Sequence, residues 1–173
     1  TPYGASKVAA EFLAVQAHLG YGLEVIRVRP FNHVGPGQAP SFVVAALASH
    51  IVEARRSGSK EVPVGNLSPR RDLTDVRDVV RAYRMLIEGG EPGEVYNVCS
   101  GRDVSIEEVA RMLLQLAGVQ LELVVDPELV RSVDVPVLRG EPSKLHAATG
   151  WKPEIELSNT LRDILDDWDA KAA

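Results

Sequence analysis

The segment that decides the fold is Leu23-Glu24-Val25-Ile26-Arg27-Val28-Arg29, which is short, rich in β-branched residues and followed by Pro30. It comes directly after residues 3–19, where Ala, Lys, Glu, Leu and Gln predominate and apolar residues recur at helical spacing. A short apolar strand placed behind a helix is typical of a largely parallel sheet flanked by helices. The sequence therefore predicts an α/β protein.

A loop is predicted at the carboxyl end of this strand. Residues 30–40 contain three prolines and two glycines, which interrupt any regular element. In open α/β sheets, ligands bind at the edge formed by the carboxyl ends of the strands. We therefore expect this loop to line a binding site.

The rest of the chain continues to alternate between helix and strand signals. A helix capped by Ser41 is predicted to about Arg56, and another begins at Asp75 with an apolar face formed by Val79, Val80, Tyr83, Leu86 and Ile87. Ser105 and Glu108 have the spacing of a capping box. Further strands are predicted at 61–64, 72–73, 94–99 and 121–125, and further helices at 142–149 and 157–171. The later elements lack a regular rhythm, which predicts a second, smaller lobe.

The composition excludes several classes of protein. The chain has 173 residues and a net charge of -5, and its Lys and Arg residues are spread along the length, so nucleic acid is not an expected partner. No apolar run approaches the roughly 20 residues that cross a bilayer, so we expect no membrane association and a cytoplasmic location. The chain does not begin with Met, and we expect further sequence upstream of Thr1.

Tyr3 and Lys7 form the first candidate catalytic pair. They are four residues apart on one predicted helix and therefore lie on the same face. An unperturbed tyrosine has a pKa of about 10, and a neighbouring ammonium lowers it toward the neutral range. Such a pair can protonate the oxygen of a reduced carbonyl. The spacing alone is weak support, because Tyr and Lys occur four apart on many solvated helices.

Four motifs in order make the assignment more specific. Residues 1–7 resemble the Pro-Tyr-x-x-Ser-Lys helix of the extended short-chain dehydrogenases/reductases, which include epimerases, dehydratases and reductases of nucleotide-sugars. Residues 29–37, 71–76 and 93–98 resemble that family's post-strand loop, its Arg-Asp-Phe-x-x-Val motif and its late strand. Together the four motifs span almost the whole chain.

This resemblance implies a fold and a division of the chain. The expected fold is the carboxy-terminal part of a Rossmann-like, doubly wound parallel sheet with a smaller α/β substrate-binding lobe. Residues 1–29 and 75–98 would belong to the NAD(P)-binding domain, and residues 30–74 and 99–173 to the nucleotide-sugar lobe. The family's Gly-rich amino-terminal half is expected to be absent from this chain.

The resemblance also implies roles for individual residues. Tyr3 would be the proton donor, and Lys7 would bind the nicotinamide ribose and lower the pKa of Tyr3. Pro30 and His33 would lie beside the cofactor, either NADP or NAD, and Asn32 would contact the substrate diphosphate. The other implied substrate-binding residues are Phe42, Val43, Asn66, Arg71, Arg131 and Asp134.

Within the family, residues 31–38 with Phe42 and Val43 are most similar to the GDP-6-deoxymannose reductases. This predicts a GDP-sugar as partner and reduction of the C4 keto group of GDP-4-keto-6-deoxy-D-mannose. Arg131-Ser132-Val133-Asp134-Val135 departs from the Arg-Pro-x-Glu-Val of relatives, which weakens the prediction of guanosine specificity. The alternatives are 4,6-dehydration of GDP-mannose, 4-epimerisation, or an inactive truncated binding domain.

Two further expectations concern the isolated chain and metals. A homodimer or larger assembly is expected. Without the upstream half, the 173 residues alone are expected to be inactive and also to associate through surface that the missing half would cover. Asp72, Asp75 and Asp78 could suggest a metal site, but Asp75 and Asp78 fit the start of a helix, where negative charge is favourable. No metal is predicted, and Cys99 and Trp151 are expected to serve in packing.

Overall fold

The computed structural model describes residues 1–130 and 135–172 of an α/β protein. Its first helix, α1, spans Pro2–Tyr21, with the Thr1 side chain accepting a hydrogen bond from the Gly4 amide. Gly22 ends α1 in the left-handed conformation, with φ of 67°. Strand β1 spans Arg27–Pro30, so the strand predicted at residues 23–29 begins too early. The reason is its partner: the ladder of β1 starts only where Arg27 aligns with Val95.

The strands pair mostly in parallel, as the helix-flanked strand predicted. The parallel pairs are β1 with β6 (Val95–Val98), β2 (Asn32–Val34) with β5 (Leu73–Asp75), and β3 (Glu61–Val64) with β8 (Glu122–Val125). A separate three-stranded sheet has the order β7 (Val104–Ser105), β4 (Arg70–Arg71), β9 (Val137–Leu138). Strand β4 is antiparallel to β7 and parallel to β9.

The remaining helices are α2 (Val43–Ser57), α3 (Val76–Gly89), α4 (Ile106–Leu116), α5 (Ser143–Thr149) and α6 (Leu157–Ala172), with a short 3-10 helix at Pro127–Leu129. Asp75 caps α3, and the capping box of Ser105 and Glu108 starts α4, both as predicted. The predicted cap at Ser41 is wrong, because α2 has Phe42 at its N-cap position and no side-chain cap there.

The larger hydrophobic core lies between α2, α4 and α6. Helix α2 alone contributes seven buried residues, and α4 and α6 pack against it. Side chains from β3 and β5 close this core from the sheet side, and its buried members include Ile51, Val62, Leu73, Leu113, Leu161 and Ile164. This core supports the segments that line the candidate site described below.

A smaller core surrounds α3 and β6, and its buried residues are Val79, Ala82, Leu86, Tyr96, Val98, Leu145 and Trp151. The Trp151 indole N–H donates to the Asp78 carbonyl at 3.0 Å, which fits the expected packing role. The predicted apolar face of α3 is wrong in part, because Val80, Tyr83 and Ile87 are 59%, 38% and 83% exposed. The stripe that packs inward consists of Val79, Ala82 and Leu86, with Met85 partly buried beside it.

Two buried carboxylates join α3 to the carboxy-terminal segment. Asp78 accepts hydrogen bonds from the amides of Glu154 and Ile155, both at 2.9 Å. Asp75 accepts one from the Thr160 hydroxyl at 2.7 Å and also pairs with Arg77. Burial alone would raise the pKa of Asp75, but the hydrogen bonds from Arg77 and Thr160 outweigh burial and lower it.

Across the described ranges, no helix is long and apolar enough to cross a membrane.

Candidate functional site

A cavity of about 470 Å³ lies between α2, the β2–β5 pair and the loops after β3 and β8. Its wall includes most of the residues that the resemblance assigns to the substrate, together with His33. The predicted residues that line it are Asn32, His33, Phe42, Val43, Asn66 and Arg71. Their roles stay predictions, but the fold brings them to one place from four separate parts of the chain.

The ends of the cavity are set by β2 and α2. Parallel pairing of β2 with β5 places Asn32 opposite Leu73 at one end. Helix α2 runs from Phe42 at that end to His50, whose Nδ1 lies 3.1 Å from the Pro63 carbonyl oxygen. With a rise of 1.5 Å per residue, this stretch of α2 measures about 12 Å. The cavity therefore extends along this stretch of α2, with β2 at one end and the end of β3 at the other.

The β2 end presents polar groups in a fixed arrangement. The Gln38 Nε2 donates to the His33 carbonyl at 3.1 Å, and His33 Nδ1 lies 3.1 Å from the Phe31 carbonyl oxygen. Helix α2 begins at this wall without a side-chain cap, and the amino terminus of a helix attracts anions. This end of the cavity can therefore accommodate a negatively charged group.

Arg71 lines the same cavity and is oriented by the backbone around it. Its Nη1 donates to the carbonyl oxygens of Arg70 and Val135, at 2.8 and 2.7 Å. These bonds hold the guanidinium plane, which is the geometry that favours bidentate contact with phosphate. The other predicted arginine, Arg131, and the predicted ribose partner Asp134 lie outside the described residues.

Tyr3 and Lys7 are together but do not line the cavity. The Lys7 ammonium lies 5.3 Å from the centre of the Tyr3 ring, and Tyr3 is 72% exposed. Glu11, further along α1, bonds to Arg29 at 2.6 Å on β1, and the hydrogen bond from Arg29 lowers the pKa of Glu11. Near the other end of α1, His18 Nδ1 lies 2.8 Å from the Leu23 carbonyl oxygen.

These contacts orient α1 against β1. His18 contacts Leu23, which precedes β1, whereas Glu11 bonds to Arg29 on β1 itself. Helix α1 therefore runs antiparallel to β1, and its amino-terminal turn lies toward the carboxyl end of the strand. Pro30 ends β1 at that edge and is exposed, and Asn32 and His33 follow it. The Tyr3–Lys7 pair and the β2 end of the cavity thus lie at the same edge of the fold.

Asp72 is completely buried behind the cavity and holds two loops together. It accepts hydrogen bonds from the amides of Ser100, Gly101 and Gly140 at 2.8, 2.9 and 3.2 Å, and from the Ser100 hydroxyl at 2.7 Å. Cys99 lies next to these loops. Burial, with the nearby charge of Asp72, raises the pKa of its thiol to about 12, so Cys99 stays protonated and packs as an apolar residue.

The residues of the cavity wall that sequence reasoning missed include Gln38, His50 and Glu128. The sequence did offer a signal for Gln38, because this residue ends the motif of residues 31–38. In the structure, its Oε1 is buried without a hydrogen-bond partner among the described residues. The sequence offered no signal for His50 and Glu128, because their neighbours in the cavity come from distant parts of the chain. Within residues 1–130 and 135–172, no three His, Cys, Asp or Glu residues are grouped as metal ligands would be.

Comparisons with known proteins show the family of this chain. The model of the family described as GDP-mannose 4,6 dehydratase matches residues 1–164. The GDP-6-deoxy-D-mannose reductase of Pseudomonas aeruginosa is 44% identical over 98% of this chain and 56% of its own length. A GDP-mannose 4,6-dehydratase of Yersinia enterocolitica is 24% identical over 95% of this chain and 52% of its own length. The chain thus spans about half the length of these relatives.

Solved structures give the same result for the fold. RMD from Pseudomonas aeruginosa, complexed with NADPH, superposes with a TM-score of 0.92 and 44% identity over 99% of this chain and 57% of that one. UDP-glucose 4-epimerase from Thermotoga maritima, with UDP-glucose, gives a TM-score of 0.88 and 27% identity over 99% of this chain and 54% of that one. The fold is that of the Rossmann-like epimerases and dehydratases. The chain belongs to the GDP-mannose 4,6-dehydratase family of short-chain dehydrogenases/reductases.

Proposed function

We propose that the enzyme containing this chain reduces the C4 keto group of GDP-4-keto-6-deoxy-D-mannose to GDP-6-deoxy-D-mannose, using NADPH or NADH. The observation that carries this proposal is the match to the Pseudomonas aeruginosa reductase, 44% identical over 98% of this chain. The four ordered motifs of the chain and the cavity along α2 support the same activity.

The proton side of the reaction is assigned to Tyr3. A ketone that accepts a hydride at carbon becomes an alkoxide, which must take up one proton to give the alcohol. The Tyr3 hydroxyl is the proposed donor, and Lys7, with its ammonium 5.3 Å from the Tyr3 ring, stabilises the phenolate that remains.

The residues at the carboxyl end of β1 fit a nicotinamide cofactor. The Lys7 ammonium and the Tyr3 hydroxyl can donate hydrogen bonds to ribose hydroxyls. Pro30 and His33 lie at the same edge of the fold, where β1 ends. The bound cofactor would supply the hydride. The related RMD structure holds NADPH, and we propose NADPH or NADH here without choosing between them.

The cavity is the proposed site for the nucleotide-sugar. Arg71, Asn32 and the uncapped start of α2, with Phe42 and Val43, would bind the diphosphate, and Asn66 would contact the nucleoside. Arg131 and Asp134 are proposed to complete this part of the site. We further propose that residues 1–29 and 75–98 form the cofactor side and that residues 30–74 and 99–173 form the substrate side.

The exposed surface of α1 supports association of chains. This helix has no buried residue, and its large exposed side chains include Phe12, Leu13, Leu19 and Tyr21. Apolar area of this extent favours contact with another surface. We propose that the enzyme is a homodimer or larger assembly, located in the cytoplasm, and light scattering that finds only monomers would contradict the assembly.

The Tyr3→Phe variant of the complete enzyme tests the chemical assignment. We expect turnover of GDP-4-keto-6-deoxy-D-mannose, followed by oxidation of NADPH or NADH, to fall at least about a hundredfold. Substrate affinity should stay within about twofold. Tyr21→Phe is the matched control, since Tyr21 lies on the same helix and is equally exposed.

Two outcomes would contradict the proposal. If the unaltered enzyme oxidises neither reduced cofactor with this substrate but dehydrates GDP-mannose, the enzyme is a 4,6-dehydratase, as the family model and the Yersinia enterocolitica relative are named. If Tyr3→Phe and Tyr21→Phe both leave turnover unchanged, Tyr3 is not the proton donor.

A further inference from the structure

We propose that Glu128 selects guanine over other bases by accepting hydrogen bonds from its Watson–Crick edge. The inference rests on the proposed function, and it concerns the end of the cavity farthest from Tyr3. Glu128 belongs to the 3-10 helix that follows β8 and lines the cavity together with Leu129. No motif of the sequence pointed to it.

The position of Tyr3 determines which end of the cavity holds the sugar and which end holds the base. The sugar must reach Tyr3, which lies at the edge of the fold where β1 ends and Asn32 follows. The opposite end of the cavity lies about 12 Å along α2, where His50 meets Pro63. A nucleoside diphosphate sugar that places its sugar at the first end therefore places its base at the second.

Apolar groups contribute to the wall of that second end. They come from Pro63, Leu67 and Leu129. Gly65 lets the 3-10 helix approach closely, because a Cβ at this position would lie 2.5 Å from the Leu129 carbonyl oxygen. Apolar groups in a binding cavity can pack against the faces of a purine ring.

The carboxylate of Glu128 lies at this end of the cavity and is available to a ligand. Its backbone amide donates to the Asp126 side chain at 2.9 Å, which fixes the turn from which the side chain projects. The Glu128 side chain is exposed to solvent. Throughout residues 1–130 and 135–172, no hydrogen bond or ion pair engages its carboxylate. The carboxylate can therefore accept hydrogen bonds from a ligand that enters this end of the cavity.

The chemistry of the bases explains why this donor would be guanine. An ionised carboxylate only accepts hydrogen bonds, and guanine presents two adjacent donors, its N1–H and its 2-amino group. Uracil and thymine present one N–H between two carbonyl oxygens, and adenine presents a lone pair at N1, so each places an acceptor against Glu128. The repulsion between these acceptors and the carboxylate makes Glu128 selective for guanine.

The test measures equilibrium binding of GDP, inosine diphosphate and UDP to the chain and to its Glu128→Gln variant by calorimetry. Inosine diphosphate lacks the 2-amino group but keeps N1–H. We expect the unaltered chain to bind GDP about tenfold more tightly than inosine diphosphate, and Glu128→Gln to lose about ten- to a hundredfold in GDP affinity. The variant should bind GDP and inosine diphosphate about equally, and it should bind UDP more tightly than the unaltered chain does, because the repulsion between the carboxylate and the uracil carbonyl oxygens is gone.

Glu122→Gln is the matched control, because Glu122 is an exposed carboxylate on β8 that lies outside the cavity wall. It should leave all three affinities unchanged. If Glu128→Gln retains the preference for GDP over inosine diphosphate, or weakens GDP and UDP equally, Glu128 does not read the base. If the unaltered chain binds neither GDP nor UDP, the cavity is not a nucleotide site and the inference fails, while the turnover assay of the complete enzyme tests the proposed function separately.

Discussion

Helices α1 and α2 both contribute to the proposed site, but they are supported in opposite ways. Helix α2 has seven buried residues and packs against α4 and α6, and its amino-terminal half forms one wall of the cavity. Helix α1 is longer, with 20 residues, yet none of them is buried. It is joined to β1 through ion pairs from Glu11 to Arg27 and Arg29.

This difference in support between α1 and α2 separates nucleotide binding from proton transfer. The substrate cavity is built around a core that these residues complete themselves, so nucleotide binding should be retained by the chain alone. The Tyr3–Lys7 pair stands on a helix held mainly by partly exposed ion pairs, which contribute little to stability. Proton transfer should therefore depend on further contacts that cover α1, whereas recognition of the nucleotide should not.

The largest expected effect comes from truncating a core residue of α2. Ile51→Ala removes a side chain that is fully buried, and the resulting cavity should lower the free energy of unfolding by about 2–5 kcal/mol. Phe12→Ala removes a larger side chain from α1 but should cost less than about 0.5 kcal/mol, since Phe12 is 69% exposed. Urea unfolding followed by circular dichroism measures both. Equal losses would show that α1 has a core of its own.

A second, smaller effect concerns the attachment of α6, which packs on α2. Asp75→Asn removes a buried carboxylate that binds Thr160 and Arg77 and should cost about 1–3 kcal/mol at neutral pH. The lowered pKa of Asp75 means that its contribution is present above about pH 4 and is lost as the pH falls through the folded-state pKa.

The pH dependence of the urea midpoint measures this effect. The unaltered chain should lose stability on acidification, and Asp75→Asn should show a shallower dependence. Asp163→Asn is the control, because Asp163 also pairs with Arg77 but is exposed, so its loss should stay below about 1 kcal/mol. An unchanged acid dependence in Asp75→Asn would show that other carboxylates control the attachment of α6.

The smallest effect tests a local contribution to the same core. Ser105→Ala removes the side chain that accepts a hydrogen bond from the Glu108 amide at the start of α4 and should cost about 1 kcal/mol. Ser68→Ala, which removes an exposed loop hydroxyl bonded to Asn66, is the comparison and should cost less. If both variants have the same urea midpoint, the capping box does not stabilise the packing around α2.

Local signals predicted the ends of several helices correctly. Asp75 and the Ser105–Glu108 box are caps whose partners lie within three residues, so spacing alone identifies them. The same reasoning failed for Ser41, since Phe42 occupies the N-cap position of α2. It also failed for Val80 and Ile87, because helical periodicity shows that a face is apolar but not that another element covers it.

Long-range contacts were beyond the reach of the sequence. Asp78 was read as a favourable charge in a first helical turn, yet it is buried and accepts from Glu154 and Ile155, more than 70 residues away. The cavity shows the same limit. Residues that stand in recognisable motifs, such as Asn32 and Arg71, were identified, whereas Glu128 enters the wall only because Gly65 and Leu129 meet in three dimensions.

The buried Asp72 carboxylate connects two segments of the protein. One side chain binds the loop after β6, through Ser100 and Gly101, and the segment after β9, through Gly140. Strand β6 belongs to the smaller core, while β9 pairs with β4 beside the cavity. Loss of this one carboxylate would therefore release both segments at once and leave three backbone amides without their acceptor.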